Sequence, residues 1–508
     1  MTINNIKLKL FSWLLISFFS LPNYQANAQE MFGATLGNYN ALTGAMLNPA
    51  IMTNTRNYIE INVLSFHVFA NNDAVYIPSS DLKLWNLWNE NTEYPTYGEK
   101  KSSFQIYGGR GPKYGIVDIK FLGPSAMFQR GRHAFAITTG VRFFTSANDI
   151  PYEIPIFGYE SLQYEPLQNV NFNNYNFDVS TMAWMETGLS YAFDVYQFLD
   201  NQVTVGVSVK KLWGYGGVTA KINNADYIVL NDSTINIKNL NGDLGFSVPV
   251  DYNNSDFPLH DPLFKGSGFG FDIGVVYTKR SYVDYKRFTE PCAQRYEDYE
   301  YRIGLSILDI GRVKFTNNTQ FHSYDDVSVI WQNFDTTSYS NVNQMMGEFS
   351  NVFYGDPDAS YRGSEAKIGL PMAVSLQFDY RVKRIKNIYI AAVWVQPIRF
   401  NRNTLRRSAH ITVIPRYELR NLEFSLPIML YDYQYPRIGA SARFAFLTIG
   451  TERLGTYVGL ADLNGMDLYF SVKFNIGKGT CKIKAPVECL NGEYGYSDKE
   501  KRNFKKRK

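Results

Sequence analysis

The chain of 508 residues carries Lys+Arg 51 against Asp+Glu 47, a formal charge of +4, which is too weak a field to argue for a nucleic-acid partner. Three cysteines are too few for a disulfide framework. Hydrophobic residues make up 45% of the chain and aromatics 16%, yet the mean hydropathy is −0.25, so apolar side chains are plentiful but dispersed, as in alternating strands or a secreted soluble β-protein.

Residues 1–28 read as a secretory signal. Lys7 and Lys9 form a basic start, Leu10–Leu21 an apolar stretch broken by Pro22, and Ala26-Asn27-Ala28 a cleavage site with the cut after Ala28. No cysteine follows that cut, so no lipid anchor is expected there. Beyond it no run approaches 18 consecutive apolar residues, and no transmembrane helix is expected. Residues 29–56 precede the first strand.

From Tyr58 to Ile476, segments of about ten residues alternate with period two. Leu468, Phe470, Val472, Phe474 and Ile476 share one face of a strand, opposite Tyr469, Ser471, Lys473 and Asn475. Phe135, Ile137, Val141 and Phe143 oppose Ala134, Ala136 and Arg142, and Val203, Val205, Val207 and Val209 oppose Gly206, Ser208 and Lys210. Phe269, Phe271, Ile273 and Val275 oppose Gly268, Gly270, Asp272 and Gly274. One face is apolar throughout, while the other mixes small residues with single charges such as Arg142, Glu186, Asp194, Lys210, Asp272 and Asp379. A soluble sandwich would show a Lys/Glu-rich outer face instead. Small polar residues suit a crowded lumen, and a clean apolar face suits lipid, where a charge at the midplane costs about 2–4 kcal/mol. The fold class expected is therefore all-β: a transmembrane antiparallel β-barrel over 57–477, of about 14 strands. Short turns near Arg130-Gly131, 199–201, 382–386 and 419–421 alternate with long connections at 70–113, 146–180, 215–266 and 317–367. That asymmetry places the short turns in the periplasm and the long loops outside the cell.

Residues 478–508 form a polar periplasmic tail ending in Lys505-Lys506-Arg507-Lys508. It reads either as a solvated end or as a docking arm for a periplasmic partner or anionic lipid head groups. Cys481 and Cys489 within it are close enough to pair, which leaves Cys292 odd.

No catalytic constellation is present, and the chain is not expected to be an enzyme. His67, His133, His260, His322 and His410 are scattered, with no metal-ligand spacing, and no G-x-S-x-G elbow occurs. Gly266-Ser-Gly-Phe-Gly lacks the helix that a dinucleotide loop must open. Gly355-Asp356-Pro357-Asp358 reads as a turn, with Ca²⁺ binding as the alternative. No cofactor or metal is expected. Trp85 and Trp88 in the first long loop read as an interfacial anchor or as a recognition site. Pro415 and Pro427 flank one turn and lie nearly opposite each other, each without a ladder N–H. They mark either a harmless bulge or a lateral weak point.

Leu47-Asn48-Pro49-Ala50 resembles the N-P-A signature of the long-chain fatty-acid transporter (FadL-type) barrels, and Leu36–Ala45 resembles a shortened form of their Gly-rich hatch. Gly266–Tyr277 and Tyr301–Gly311 resemble strands of the related outer-membrane barrels of the type 9 secretion system (PorV-like). The resemblance implies fourteen strands around an N-terminal plug over 29–56, with Asn48, Pro49 and Ala50 as the plug motif. It also implies either a channel for hydrophobic small molecules or an accessory subunit that binds protein partners. The inward charges suggest a polar or filled lumen. The reading is thus an outer-membrane barrel in contact with membrane lipid. It acts as an accessory or docking subunit of a secretion or barrel-assembly machine, with a FadL-like channel for a hydrophobic ligand as the alternative.

Overall fold

The computed structural model describes residues 31–82, 105–198, 200–254, 262–280, 298–336 and 339–477. The secretory signal, Trp85, Trp88, His260, Cys292, Cys481, Cys489 and the tail lie outside these residues.

Fourteen antiparallel staves close into one barrel. They are β1 (Asn57–Asn72), β2 (Lys113–Leu122 and Ser125–Arg130), β3 (His133–Ile150), β4 (Phe177–Phe198), β5 (Asn201–Val229), β6 (Gly266–Arg280) and β7 (Tyr299–Phe315). The second half holds β8 (Ala366–Gly369 and Ala373–Arg381), β9 (Ile388–Pro397), β10 (His410–Glu418) and β11 (Leu422–Ser425 and Ile428–Tyr431). It ends with β12 (Tyr435–Ile438 and Ala440–Phe444), β13 (Leu447–Thr451) and β14 (Gly465–Gly477). Closure is made by β1, which pairs β14 on one side, with Phe66 opposite Phe470, and β2 on the other. Closure satisfies the backbone hydrogen bonds of neighbouring staves around the wall, as a bilayer demands, except where β13 ends short of its neighbours.

Burial follows the sequence alternation. On β3, Phe135, Ile137, Val141 and Phe143 are exposed while Ala134, Ala136 and Arg142 are buried. On β14, Tyr469, Ser471 and Lys473 are buried and Phe474 and Ile476 exposed. A closed barrel with an aliphatic and aromatic exterior and charged residues inside is a membrane-spanning one. Where β1 breaks alternation at Val63-Leu64, its pairing with β14 shifts register between Asn62 and Leu64. That bulge returns Ser65 and His67 to the lumen.

The interior is filled in two tiers. Toward the short-turn end it holds the N-terminal segment and a web of charges. Toward the other end lies an apolar core that includes Phe69, Phe144, Trp184, Phe315, Ile368 and Tyr431.

Crossing a bilayer takes about 9–11 tilted residues, but β5 runs for 29. Its outer part, Lys221–Val229, pairs with Ile235–Ser247, which in turn pairs with Gln320–Trp331. The long connections expected at 215–266 and 317–367 are therefore a sheet standing outside the membrane. Helix α1 (Val342–Tyr354) covers that sheet. Asn341 caps it by accepting from Gln344 N–H, Gly355 closes it at φ 72, and Met346 packs against Phe246, Tyr252, Tyr324 and Val327. The 355–358 stretch is the turn leaving this helix, where Asp358 N–H donates to the Asp356 carboxylate. Among the described residues, no group of acidic, His or Cys side chains has the proximity to hold a metal ion.

Candidate functional site

The segment from Phe32 to Thr55 is a plug inside the barrel, nearly every residue of it buried. It is made of two short helical turns, Phe32–Thr35 and Ala41–Ala45, and a 3₁₀ helix, Pro49–Asn54. Neither α-helical turn has a side-chain cap of its own. Buried carboxylates projecting from the barrel take that role. Glu452 accepts from Phe32 N–H at 2.7 Å, Glu60 from Ala41 and Leu42 N–H at 2.7 and 3.1 Å, and Glu418 from Asn38 N–H at 3.1 Å. The N-terminal N–H groups of a helical turn need an acceptor, and anionic ones suit the dipole. Basic residues grip the plug's carbonyl and amide oxygens. Arg302 donates to Asn54 O and Leu36 O, and Lys473 to Asn40 Oδ1 at 2.7 Å.

The N-P-A motif makes the tightest seat. Asn48 caps the 3₁₀ helix by accepting from Ala50 N–H at 3.0 Å, with Pro49 at the first position, where no N–H is needed. Its Nδ2 donates to Gln377 Oε1 at 2.9 Å and to Val275 O at 3.2 Å on the wall. The wall is glycine where the motif touches it. A Cβ on Gly206 would fall 2.3 Å from Ala50 N, and one on Gly274 2.1 Å from Asn48 Oδ1.

Above the seat lies a buried charge cluster centred on Asp309. A bulge in β7 against β6, marked by a register shift between Phe271 and Ile273 and by φ 52 at Asp309, turns this carboxylate into the lumen. It meets Arg142 at 3.0 Å, Lys210 at 2.8 Å and Arg407, while its own N–H donates to Asp272 at 2.8 Å. Lys210 also pairs Asp272 at 2.8 Å, and Arg142 lies over the Trp184 ring at 4.8 Å. Below, Asp379 joins Arg416 at 2.8 Å and Arg302, with Tyr299 donating to it at 2.7 Å. Of the inward residues read from the sequence, Arg142, Glu186, Lys210 and Asp272 share the upper cluster. Asp194 accepts from Thr53 of the plug at 2.8 Å, and Asp379 anchors the lower cluster. The lumen is filled and polar around the plug. Asp309, Glu60, Glu418 and Glu452 are not singled out by the sequence: Asp309 breaks the alternation at its bulge, whereas Glu60 and Glu418 keep it and serve a plug that no local pattern links to them.

Pro415 stands opposite Leu426, and Pro427 opposite Ile414, one position apart. Leu426 N–H still donates to Pro415 O at 3.0 Å and Gly439 N–H to Pro427 O at 2.7 Å, but the reciprocal donors are missing. Two adjacent ladders, β10–β11 and β11–β12, each lose one bond at the same level.

Close to that level, β13 stops at Thr451 opposite Ala440. Tyr435–Ile438 of β12 pairs only with β11, and Gly465–Leu468 of β14 only with β1, among the described residues. The connection 452–464, with a helical turn at Leu454–Val458, spans the gap. A cavity of ≈ 960 Å³ opens there. Its walls include lumen-side Asn71, Arg437 and Arg453 and outward-facing Ile438 and Leu460.

Residues 49–452 match the family of unknown function DUF5723. The chain belongs to this family. No curated protein matches it. Among solved structures it is similar to the Ralstonia pickettii toluene transporter TbuX, at 10% identity and TM-score 0.39 over 90% of this chain and 100% of that one. It is likewise similar to a Pseudomonas aeruginosa FadL homologue, at 10% identity and TM-score 0.37 over 87% and 96%. The translocator domain of the autotransporter NalP from Neisseria meningitidis follows at 7% identity and TM-score 0.31 over 86% and 96%. Likeness this distant assigns no activity to the DUF5723 chain.

Proposed function

We propose that this DUF5723 barrel is a non-catalytic outer-membrane subunit that docks other proteins of a secretion or barrel-assembly machine. The observation that carries the reading is the lock on the plug. Buried groups at several places around the barrel (Glu60, Arg302, Glu418, Glu452 and Lys473) each hold a different plug atom. Removing one partner of a buried charged contact costs about 3–5 kcal/mol, so several held together make a fixed filler rather than a moving gate. The barrel instead raises a helix-covered sheet outside the membrane, where Ile330 on the sheet, Tyr354 at the end of helix α1 and Tyr361 just beyond it are exposed, an apolar rim suited to a protein partner. On this reading the chain is exported with cleavage after Ala28, and residues 478–508 offer a second contact in the periplasm.

Native mass spectrometry of the protein gently extracted from its own membrane tests this. Co-extracted protein subunits that disappear with Ile330→Asp plus Tyr361→Asp, in a still-folded barrel, are the expected result. A lone chain carrying only a few hundred daltons of hydrophobic ligand overturns it. One observation favours the second reading, a channel for hydrophobic small molecules, namely the wall cavity reaching from lumen-side to lipid-side residues. Faster uptake of a hydrophobic dye into liposomes bearing the barrel would support that reading over docking.

A further inference from the structure

The wall cavity between β12 and β14 holds two guanidiniums, Arg437 and Arg453, with no carboxylate at ion-pair distance among the described residues. Arg437 Nη2 donates to Asn71 Oδ1 at 2.9 Å, and the guanidinium lies 3.6 Å over the Tyr431 ring. Its Nη1 is buried and makes no hydrogen bond among the described residues. Among the described residues the Arg453 guanidinium donates only to neutral oxygens, Ala70 O at 3.3 Å and Asn464 Oδ1. Neither is within ion-pair distance of an acidic group among the described residues, unlike Arg302, Arg407 and Arg416 deeper in the lumen. Burial, and then the neighbouring Arg437, push the Arg453 guanidinium down to about 9, an effect that the more distant Asp467 only partly offsets. Lys113 adds an ammonium whose hydrogen bond goes to Tyr107 O at 3.2 Å. The cavity's two carboxylates are engaged by backbone: Asp73 accepts from Tyr114 N–H at 2.5 Å, and Asp462 from Ser79 N–H at 3.0 Å. Three cations therefore face two acids already in use.

The outer side of the same cavity is apolar. Leu460 is 85% exposed, Ile438 52%, and Val458 beside them 52%. They stand at the end of the barrel opposite the short turns, where the exterior meets the outer leaflet. A volume of ≈ 960 Å³ is at the upper end of what a drug-sized ligand fills and far exceeds a lone anion. Guanidinium forks recognise phosphoryl oxygens in bidentate fashion, most strongly where water is excluded.

We propose that this cavity binds the phosphorylated headgroup of an outer-leaflet glycolipid, with the phosphoryl group on Arg437 and Arg453 and the acyl chains along Leu460 and Ile438. The site is independent of the docking reading above and stands or falls separately.

The full-length barrel is purified in uncharged detergent and offered a diphosphorylated lipid A-type glycolipid, its dephosphorylated form, or inorganic phosphate, with bound mass read by native mass spectrometry. The phosphorylated glycolipid is expected to bind at least tenfold better than the dephosphorylated one. Arg437→Gln and Arg453→Gln should each remove most of that preference, Leu460→Asp should weaken both lipids, and millimolar phosphate should not displace the glycolipid. Equal binding of the two glycolipids overturns the proposal and requires no variant to fold. Full displacement by phosphate also overturns it, since the site then serves a free anion. A preference that survives both arginine variants, with the barrel still heat-modifiable on gels, overturns the assignment to these residues.

Discussion

Asn48 and Gly274 are fitted to each other: the Asn48 amide occupies the space a side chain on Gly274 would need, with Oδ1 only 2.1 Å from the missing Cβ. The fit explains two sequence features at once. The plug carries Asn-Pro-Ala because Asn48 must cap its own helix and bond the wall together, and β6 carries glycine because nothing larger leaves room.

Gly274→Ala, and independently Gly206→Ala, should therefore unseat the 3₁₀ helix while leaving the staves closed. Overpacking of this kind costs about 1–3 kcal/mol, and Gln377 and Val275 O lose a donor besides. Hydrogen exchange should rise over residues 48–55 and stay unchanged in β3 and β4. Unchanged exchange in 48–55 would mean that the plug is held without this contact.

Asp309 is the keystone of the charge cluster, holding Arg142, Lys210 and Arg407 together. Asp309→Asn removes the charge and keeps the shape, leaving three cations facing Asp272 and Glu186. A loss of about 3–5 kcal/mol follows from stranding buried charge, read as a lower urea midpoint for the lipid-reconstituted barrel. Asp325→Asn, on an exposed ion pair outside the membrane, should shift it by less than about 1 kcal/mol. If the two variants unfold alike, the cluster is not structural.

Much of this architecture was legible in the sequence because a lipid-facing strand has to alternate strictly, as in Phe135 to Phe143. The N-P-A motif was legible too, though its purpose was not, since the glycines it touches lie on strands more than a hundred residues away. Asp309 was hidden by its bulge: in Ile307-Leu308-Asp309-Ile310 the period slips, and the carboxylate turns inward where alternation predicts otherwise. Glu60, Glu418 and Glu452 were hidden for a different reason. Each serves a plug atom that no local pattern connects to it. The sheet outside the membrane read as loops because its faces mix polar and apolar residues and one partner strand, Gln320–Trp331, lies about ninety residues from the other. Alternation places Ser471 on the lumen side, and it is buried there in a filled interior, so Ser471→Arg is expected to cost stability.

The outer sheet carries a pH dependence through His322. Burial holds its imidazole below the usual histidine range, between Ser360 Oγ at 2.9 Å and the parallel ring of Phe246. A folded pKa below the unfolded one means that the unfolded segment takes up the proton first. The stabilisation is complete above about pH 6.5 and is lost as pH falls toward the folded value. Exchange protection across Gln320–Trp331 should therefore drop between pH 7 and pH 5, and less so in His322→Gln. The same drop in both proteins would assign the effect to another group.

Pro415 and Pro427 each delete one ladder donor at a common level of the wall, next to the place where β13 ends. Pro427→Ala restores an N–H facing Gly439 O, and Pro415→Ala one facing Leu426 O. Each new bond is worth about 0.5–1.5 kcal/mol, partly offset by the backbone entropy that proline had removed from the unfolded chain. The double variant should therefore be as stable as the parent or slightly more so, with slower exchange at Leu426 and through the Ile428–Ile438 hairpin. If the softened wall matters to function, partner retention or glycolipid binding falls in this more rigid barrel. If both stay at parental levels while exchange slows, the prolines are an incidental bulge and the lateral weak point is discarded.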